Sequence, residues 1–394
     1  MEIKEISRKE YDNFLEKIDS YSFLQTSKMN EVFKSANRDT RLFALVDNKE
    51  VLAVGLAFLR NIFGGKRIDF MVGANALDEK YEYIFYDKLK DYVKKLDCLK
   101  LVIKLDYTYC KYDQDGNLIS EKNDYFLNKM KEVGYMANDG SISTYDGLPD
   151  YQFVKDLNEF SLDDDSLLKS LNNNAQRKIK KAIELGINVR SIGEDELEDF
   201  KTLTFDAAKR QGFNDKSLEY YKTFYDEFDK DCDFLVSEIN LDESISNLEK
   251  LLSSITESSK NKQRRQSLKN EIDSLIELRN ESKSSILSLA NMILIYSKDQ
   301  AIYFLGGSST KYQKLPGAFI LQYQAMRKVM EKNIPIYNFF GVDGLFDGSD
   351  GVLRFKQNFN GYILRKTGAF IYYPNPAKYK SLEIIKKIKR KLNK

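Results

Sequence analysis

The chain has 394 residues, of which 42% are hydrophobic and 31% are charged, and its formal net charge is +2. This length exceeds the size at which single hydrophobic cores stop growing, so we expect two domains. The balanced charge excludes a strong overall attraction to nucleic acid and leaves anion recognition to local patches. The chain has no histidine, which excludes Ser-His-Asp and Cys-His catalysis and histidine-ligated metal sites.

Three cysteines, Cys98, Cys110 and Cys232, are too few and too irregularly spaced for a disulfide framework, which indicates a reducing compartment. The first residues contain no apolar signal-peptide core. No later apolar run approaches the roughly 18 residues that a membrane-spanning helix needs. We therefore predict a cytoplasmic protein.

The segment 41–107 predicts strands and one helix in a defined order. The strands are RLFALV, VLAVGLAFLRNIF and RIDFMVG, followed by the helix KYEYIFYDKLKDYVKKL and the strand LKLVIKLDY. The same order recurs in 232–341 as CDFLVSEI, LSLANMILIYS, AIYFLGGSS, GAFILQYQAMRKVMEKN and IPIYNFFG. This duplication predicts an α/β protein of two lobes with a cleft between them. We place the lobes at 1–147 and at 148–239 together with 289–394.

The insert 240–288 replaces, in the second copy, the short turn DNKE of the first copy. Its apolar residues follow a heptad pattern that is interrupted by the polar stretch TESSKNKQRRQS: Leu241, Ile245, Leu248, Leu252 and Ile255, then Leu268, Ile272 and Leu275. A dimerisation coiled coil would give the same pattern. We favour an antiparallel coiled-coil arm within the chain, because both ends of the insert must return to adjacent strands.

Two segments concentrate basic residues. The predicted helix NNNAQRKIKKAIELG carries Arg177, Lys178, Lys180 and Lys181, which form either a phosphate-binding patch or a solvated face.

The second basic segment is the tail SLEIIKKIKRKLNK. It places Ile385, Ile388 and Leu392 on one helical face among lysines. This face either lies on an anionic membrane or caps the domain.

The stretch 350–367, DGVLRFKQNFNGYILRKT, predicts two apolar strands around an Asn-Gly turn. Lys356 stands among Phe355, Phe359 and Tyr362. On the residues alone, it is a lysine whose stem packs on an edge strand while its ammonium reaches solvent.

Taken in order, SFLQTSKMNEVFK, LPDYQFVKDL, NAQRKIKKAIELGINVR, AIYFLGGSSTKYQKLPGAFILQYQAM, YNFFGVDG and GVLRFKQNF resemble the FemABX family of peptidoglycan interpeptide-bridge aminoacyltransferases. The resemblance covers nearly the whole chain. It implies two acetyltransferase-like (GNAT) lobes and transfer of glycine, alanine or serine from aminoacyl-tRNA to the stem-peptide amine of lipid II or another muropeptide precursor. Aminoacyl-tRNA would be a co-substrate, and no cofactor is implied. Contact with the inner face of the cytoplasmic membrane and a dimer with related transferases are compatible with this role.

The resemblance assigns roles to individual residues. Its RFK motif falls on 354–356, so that Lys356 would stabilise the oxyanion of the tetrahedral intermediate and Phe355 would contact substrate. Lys34 and Arg210 match basic residues that bind the precursor's phosphates, although each could be a surface cation. Tyr303 matches an aromatic residue of the acceptor site and could equally be a core residue.

One position departs from the family pattern, which has an Asp-Pro pair after the strand LKLVI. Counting without gaps places Lys104 and Leu105 there, and Asp106 follows two residues late. If a carboxylate positions or deprotonates the acceptor amine, Asp106 must supply it from a shifted register.

Two other functions remain open. An acyl-CoA N-acyltransferase would share the fold, but its pyrophosphate loop fits QKLPGAF poorly. A catalytically inactive tRNA- or precursor-binding protein would bind without turnover.

Overall fold

The computed structural model describes residues 1–144, 146–212 and 214–392. The strands are β1 (Glu2–Glu5), β2 (Asp39–Asp47), β3 (Glu50–Ile62), β4 (Gly65–Phe70), β5 (Asn75–Ala76), β6 (Cys98–Asp113), β7 (Met136–Ala137), β8 (Tyr151–Asp156), β9 (Asn188–Ser191), β10 (Cys232–Asn240), β11 (Ile286–Tyr296), β12 (Gln300–Ser308), β13 (Ile336–Gly341) and β14 (Tyr362–Tyr372). The helices are α1 (Arg8–Leu15), α2 (Ser27–Ser35), α3 (Glu79–Lys94), α4 (Tyr125–Glu132), α5 (Ser166–Lys169), α6 (Asn173–Glu184), α7 (Leu197–Gln211), α8 (Leu218–Phe228), α9 (Leu241–Ser254), α10 (Lys262–Glu281), α11 (Gly317–Glu331), α12 (Gly351–Lys356) and α13 (Pro376–Leu392). None of the described helices is both long and apolar enough to cross a bilayer.

The strands form one mixed sheet in the order β1-β2-β3-β4-β6-β14-β8-β13-β12-β11-β10-β9. The strands and helices predicted for both repeats are present, the first repeat at one end of the sheet and the second at the other. β14 pairs antiparallel with both β6 and β8 and so joins the two ends. The lobe boundaries at 147 and 239 stay a prediction.

The prediction for 350–367 is wrong in its first half, which is helical rather than extended. The side chain of Asp350 accepts hydrogen bonds from the backbone N–H groups of Val352 and Leu353 and thereby starts α12. The turn into β14 lies at Asn360, whose φ is 50°. Lys356 is therefore the last residue of a helix and does not lie on a strand. The strand that follows it, β14, is in the interior of the sheet and not at its edge.

Apolar packing joins the two halves of the molecule. Phe23, which lies between α1 and α2, contacts Phe304 of β12 edge to face, with ring centroids 4.9 Å apart. It also contacts Phe228 at the end of α8, at 6.4 Å. This aromatic cluster belongs to a core that draws buried side chains from both repeats, so the relative position of the two repeats is fixed by packing.

The insert contains the helices α9 and α10, which lie between the neighbouring antiparallel strands β10 and β11. Its seam residues Leu248 and Leu268 are buried in the same core as helix α6. The hydroxyl of Ser244 donates to the carbonyl oxygen of Leu185 at 2.5 Å. The insert is therefore packed onto the second repeat and shares its core.

Candidate active site

The second repeat contains an opening between two parallel strands. β12 and β13 pair only from Gln300 to Ile302 and from Ile336 to Asn338, although both strands continue beyond these residues. In the first repeat the corresponding strands β4 and β6 stay paired to the end of β4. Unpaired strand ends leave backbone groups free to bind a ligand.

A distortion in β13 turns two carbonyl groups toward Lys356. The pairing of β13 with β8 is interrupted between Asn338 and Gly341. Within this interruption Phe340 has a φ of 65°, a left-handed conformation that is rare for a residue with a side chain. The Asn338 side chain holds this conformation by accepting a hydrogen bond from the N–H of Phe340 at 2.8 Å. Such strain is typical of functional sites.

Lys356 is buried, with an exposed fraction of 4%. Its Nζ donates to the carbonyl oxygens of Phe340 at 3.2 Å and Gly341 at 2.6 Å. An ammonium has three donors, and no third acceptor lies within hydrogen-bond distance in the part of the chain that the structure describes, which leaves one donor for a ligand. Burial lowers the pKa of Lys356 to about 7, an effect that the charge of Asp350 partly offsets.

An aromatic cluster lies beside this lysine. Phe355 contacts the rings of Phe319 and Phe359 edge to face, at 5.3 and 5.4 Å between centroids. The structure thus places Phe355 next to Lys356, but it packs against other aromatic side chains. Its predicted contact with substrate stays a prediction.

Tyr303 and Arg210 lie near each other at the end of β12. Tyr303 is partly buried, and burial raises its pKa to about 12, against the opposing effect of Arg210. Arg210 donates to the Ser308 carbonyl oxygen at 3.2 Å and to the Thr310 hydroxyl at 2.9 Å. A Cβ at Gly306 would stand 2.9 Å from the Tyr303 hydroxyl oxygen, so the glycine leaves room for this tyrosine.

Asp106 lies on β6 and forms an ion pair with Lys366 of β14, at 2.7 Å. In sheet order β6 is separated from β13 by β14 and β8, and no contact joins Asp106 to Lys356 among the described residues. Lys104, two residues earlier, is buried and forms an ion pair with Asp150 at 3.0 Å. The carboxylate nearest to the position of the family's Asp-Pro pair is therefore that of Asp106, while Lys104 has a structural role.

Lys34 is exposed and forms an ion pair with Glu31 on the same helix. Two other cations, Arg38 and Lys216, are not indicated by any local pattern in the sequence. Arg38 stacks its guanidinium over Phe33, 5.7 Å from the ring centroid, and Lys216 lies 5.7 Å from the ring centroid of Tyr220.

Arg38 and Lys216 form what we call the junction cations, because they come from segments far apart in the chain and the charge of Arg38 acts on Lys216. Burial lowers the pKa of Lys216, and the positive charge of Arg38 lowers it further. Among the described residues neither has an acidic partner within ion-pair distance. The carboxylates of Asp146 and Asp215 offset part of the charge of Arg38 and Lys216, respectively, but form no ion pair with them among the described residues, and two neighbouring cations in this state attract a polyanion.

The four basic residues predicted as a phosphate patch lie on α6 but differ in their exposure and in their ion pairs. Lys181 forms ion pairs with Glu184 and with Glu271 of the insert. Arg177 and Lys180 are exposed, and Lys178 is partly buried. The α6 patch is therefore reduced to Arg177, Lys178 and Lys180, on a helix tied to the insert.

The arrangement of two α/β repeats with a splayed strand pair defines a tandem fold of the GNAT type. Solved structures with this fold include a tandem GNAT protein from the clavulanic acid biosynthesis pathway, with a TM-score of 0.50, 8% identity and 95% of this chain covered against 99% of that one. L-PGS from Bacillus licheniformis gives a TM-score of 0.52 at 11% identity, with 97% and 96% covered. A crystal structure of FemX gives 0.72 at 20% identity, with 97% and 100% covered. The predicted α/β class with GNAT-like repeats is confirmed, and the coiled-coil character of the arm stays a prediction.

The chain belongs to the FemAB family, whose model matches residues 6–387. It is similar to the aminoacyltransferase FemA of Staphylococcus aureus (strain bovine RF122 / ET3-1), with 26% identity over 426 residues that cover 100% of both chains. FemA of Staphylococcus aureus strain MW2 gives the same identity and coverage. The chain is therefore an aminoacyltransferase, as the resemblance implied.

Proposed function

We propose that this enzyme transfers an amino acid from aminoacyl-tRNA to the stem-peptide amine of lipid II, or of another muropeptide precursor, in peptidoglycan cross-bridge synthesis. The observation that carries the proposal is the buried ammonium of Lys356, which gives two of its three donors to carbonyl groups of β13, the strand that parts from β12. Membership of the FemAB family supports the choice of an aminoacyl donor.

The chemistry needs a cation at this place. The acceptor amine attacks the ester carbonyl of the aminoacyl-tRNA, and the carbonyl oxygen becomes an oxyanion. Lys356 stabilises that charge in a site shielded from water, where an electrostatic interaction is stronger than in solution. The intermediate then collapses, the tRNA ribose hydroxyl leaves, and the amine gives up its proton. Asp106, held by Lys366, is our candidate for positioning or deprotonating the amine; because β14 and β8 lie between its strand and β13, the acceptor has to extend across both strands to the carbonyl beside Lys356.

The two polyanionic substrates have separate candidate surfaces. The junction cations Arg38 and Lys216 suit the diphosphate of the precursor, since an arginine fork and a lysine point charge bind phosphate oxygens well. Lys34 and Arg210, indicated by the resemblance, are the competing pair. The α6 patch, which adjoins the insert, suits the tRNA backbone.

The direct test is a transfer assay with the purified chain. Transfer RNAs charged with glycine, alanine or serine are incubated with a lipid II analogue, and the product is analysed by mass spectrometry. We expect one amino acid to be added to the stem peptide. If no precursor is modified and acetyl-CoA alone raises the melting temperature, the acyl-CoA alternative replaces our proposal.

The pH dependence of transfer should show whether the charged form of Lys356 is needed for the reaction. Because its pKa is lowered to about 7, the fraction carrying the charge falls as the pH rises above that value. Single-turnover transfer should therefore decline on the alkaline side, although a free amine becomes more abundant there. A Lys356→Arg enzyme, which stays charged, should be slower and should lack this decline. Transfer by the unmodified enzyme that rises steadily to pH 9 would contradict the role.

The α6 patch should govern tRNA affinity. Arg177→Gln with Lys180→Gln should raise the KM for aminoacyl-tRNA several-fold and lower the slope of log affinity against log salt by about one for each tRNA phosphate that is no longer neutralised. Lys49→Gln with Lys122→Gln removes the same charge from exposed positions outside α6 and the insert and is the matched control. An equal effect of both pairs would mean that only overall charge matters.

A further inference from the structure

The C-terminal helix α13 carries apolar side chains on the side that faces away from the protein. Ile384, Ile385 and Ile388 are 58%, 42% and 52% exposed. Their spacing of three and four residues places them on one helical face. Leu392 was predicted to share this face, but its side chain lies outside the described residues. Isoleucine is usually buried, so three exposed ones together indicate a contact surface.

The opposite side of the same helix is fixed to the first repeat. Leu382 packs against the β3–β4 turn, where a Cβ at Gly64 would stand 2.6 Å from one of its methyl carbons. Lys378 forms an ion pair with Asp97 at 2.6 Å. Tyr379 packs on Tyr373 with ring centroids 4.3 Å apart. The helix therefore caps the repeat, which was one of the two alternatives for this tail. Its isoleucines still face outward.

Charge identifies what the isoleucines contact. The helix contains seven basic residues and one acidic residue, in a chain whose net charge is only +2. The acid, Glu383, is paired with Lys386. A second copy of the chain would bring an equally basic face against this one, because a two-fold interface joins identical surfaces. Apolar side chains flanked by lysines suit the headgroup region of an anionic bilayer.

The β3–β4 turn extends the apolar surface and links it to the candidate acceptor site. Phe63 in this turn is 42% exposed, and Lys389 of α13 lies 5.1 Å from its ring centroid. Arg60 stands three residues earlier on β3, about 10 Å along the strand. The positive charge of Arg60 acts on Arg38, one of the junction cations. The apolar face and the junction cations are therefore joined by one short stretch of β3.

We propose that α13 and Phe63 dock this enzyme on an anionic lipid surface, with the helix lying in the plane of the headgroups. Docking at this place would hold the junction cations close to the level at which a lipid-linked diphosphate emerges from the bilayer. That second statement rests on the proposed function, whereas the docking itself rests only on the helix.

Vesicle sedimentation tests the docking without any substrate. The full chain should bind vesicles of phosphatidylglycerol and phosphatidylcholine, release at high salt, and bind vesicles of phosphatidylcholine alone at least tenfold more weakly. Ile384→Ser with Ile388→Ser should reduce binding to the anionic vesicles about tenfold, with an unchanged melting temperature. Leu118→Ser with Ile119→Ser removes two other exposed apolar residues and should bind normally.

Three results would overturn the docking. The first is equal binding to both kinds of vesicle, and the second is full binding by the isoleucine variant. The third is a wild-type chain that forms a dimer and does not bind vesicles, together with an isoleucine variant that is monomeric. Failure of the transferase proposal would look different, since vesicle binding would persist without transfer. If both proposals hold, the isoleucine variant should lose activity on the lipid-linked acceptor and keep it on a water-soluble stem-peptide analogue.

Discussion

Lys356→Met should slow single-turnover transfer by roughly 10² to 10³, which corresponds to about 2.7 to 4 kcal/mol of barrier, the usual effect of removing one oxyanion donor. Methionine keeps the length of the side chain and removes the charge. Binding of both substrates should change far less, because the oxyanion exists only in the transition state. The measurement is transfer from a defined aminoacyl-tRNA to a lipid II analogue under single-turnover conditions.

The chain offers a matched control for this substitution. Lys155 is also buried, and its Nζ donates to the carbonyl oxygen of Asn360 at 2.9 Å. Burial lowers its pKa to about 8. Lys155→Met therefore removes a similarly buried ammonium whose hydrogen bond goes to Asn360 rather than to Phe340 and Gly341, and it should leave transfer within a few-fold of the unmodified enzyme. If Lys356→Met did no more than this control, Lys356 would be a structural lysine.

Arg38→Gln and Lys216→Gln should each raise the KM for the lipid-linked acceptor by roughly 10- to 100-fold, since a hydrogen bond to a charged group contributes about 1.5–3 kcal/mol. The rate constant at saturating acceptor and the KM for aminoacyl-tRNA should change little, because a phosphate distant from the reacting atoms is bound equally before and during reaction. Initial rates over a range of acceptor concentration measure these effects.

Substitution of the competing pair, Lys34 and Arg210, distinguishes between the two candidate diphosphate sites. Lys34→Gln and Arg210→Gln should have small effects if the junction cations hold the diphosphate. The reason is that Lys34 is paired with Glu31, and Arg210 is hydrogen-bonded to Ser308 and Thr310. A larger rise in KM from this pair than from Arg38 and Lys216 would return the diphosphate to the residues that the resemblance indicated.

Local pattern was enough to predict most elements of this fold. Alternation and helical periodicity are properties of neighbouring residues, and they predicted the strands of both repeats, helix α6 and the apolar seam of the insert. The prediction for 351–356 was wrong because six residues are too few to distinguish a helix from a strand. There the N-cap of Asp350 decides the structure, together with the burial of Leu353 and Lys356 at helical spacing.

The candidate site was predictable only in part. The sequence and its resemblance pointed to Lys356, Asp106, Arg210 and Tyr303. Nothing local to Lys356 indicates that it is buried or that it donates to Phe340 and Gly341, because those carbonyl groups are turned toward it by an interruption in another strand.

The sequence by itself determined the element order, the duplication, the position of the insert and the basic, apolar tail, because each depends on residues close together in the chain. Only the tertiary structure decided that β14 joins the repeats, that Arg38 and Lys216 act on each other, and that the isoleucines of α13 face outward. The physical reason is that burial and electrostatic coupling depend on distances in space. Those distances are set by packing between segments far apart in sequence.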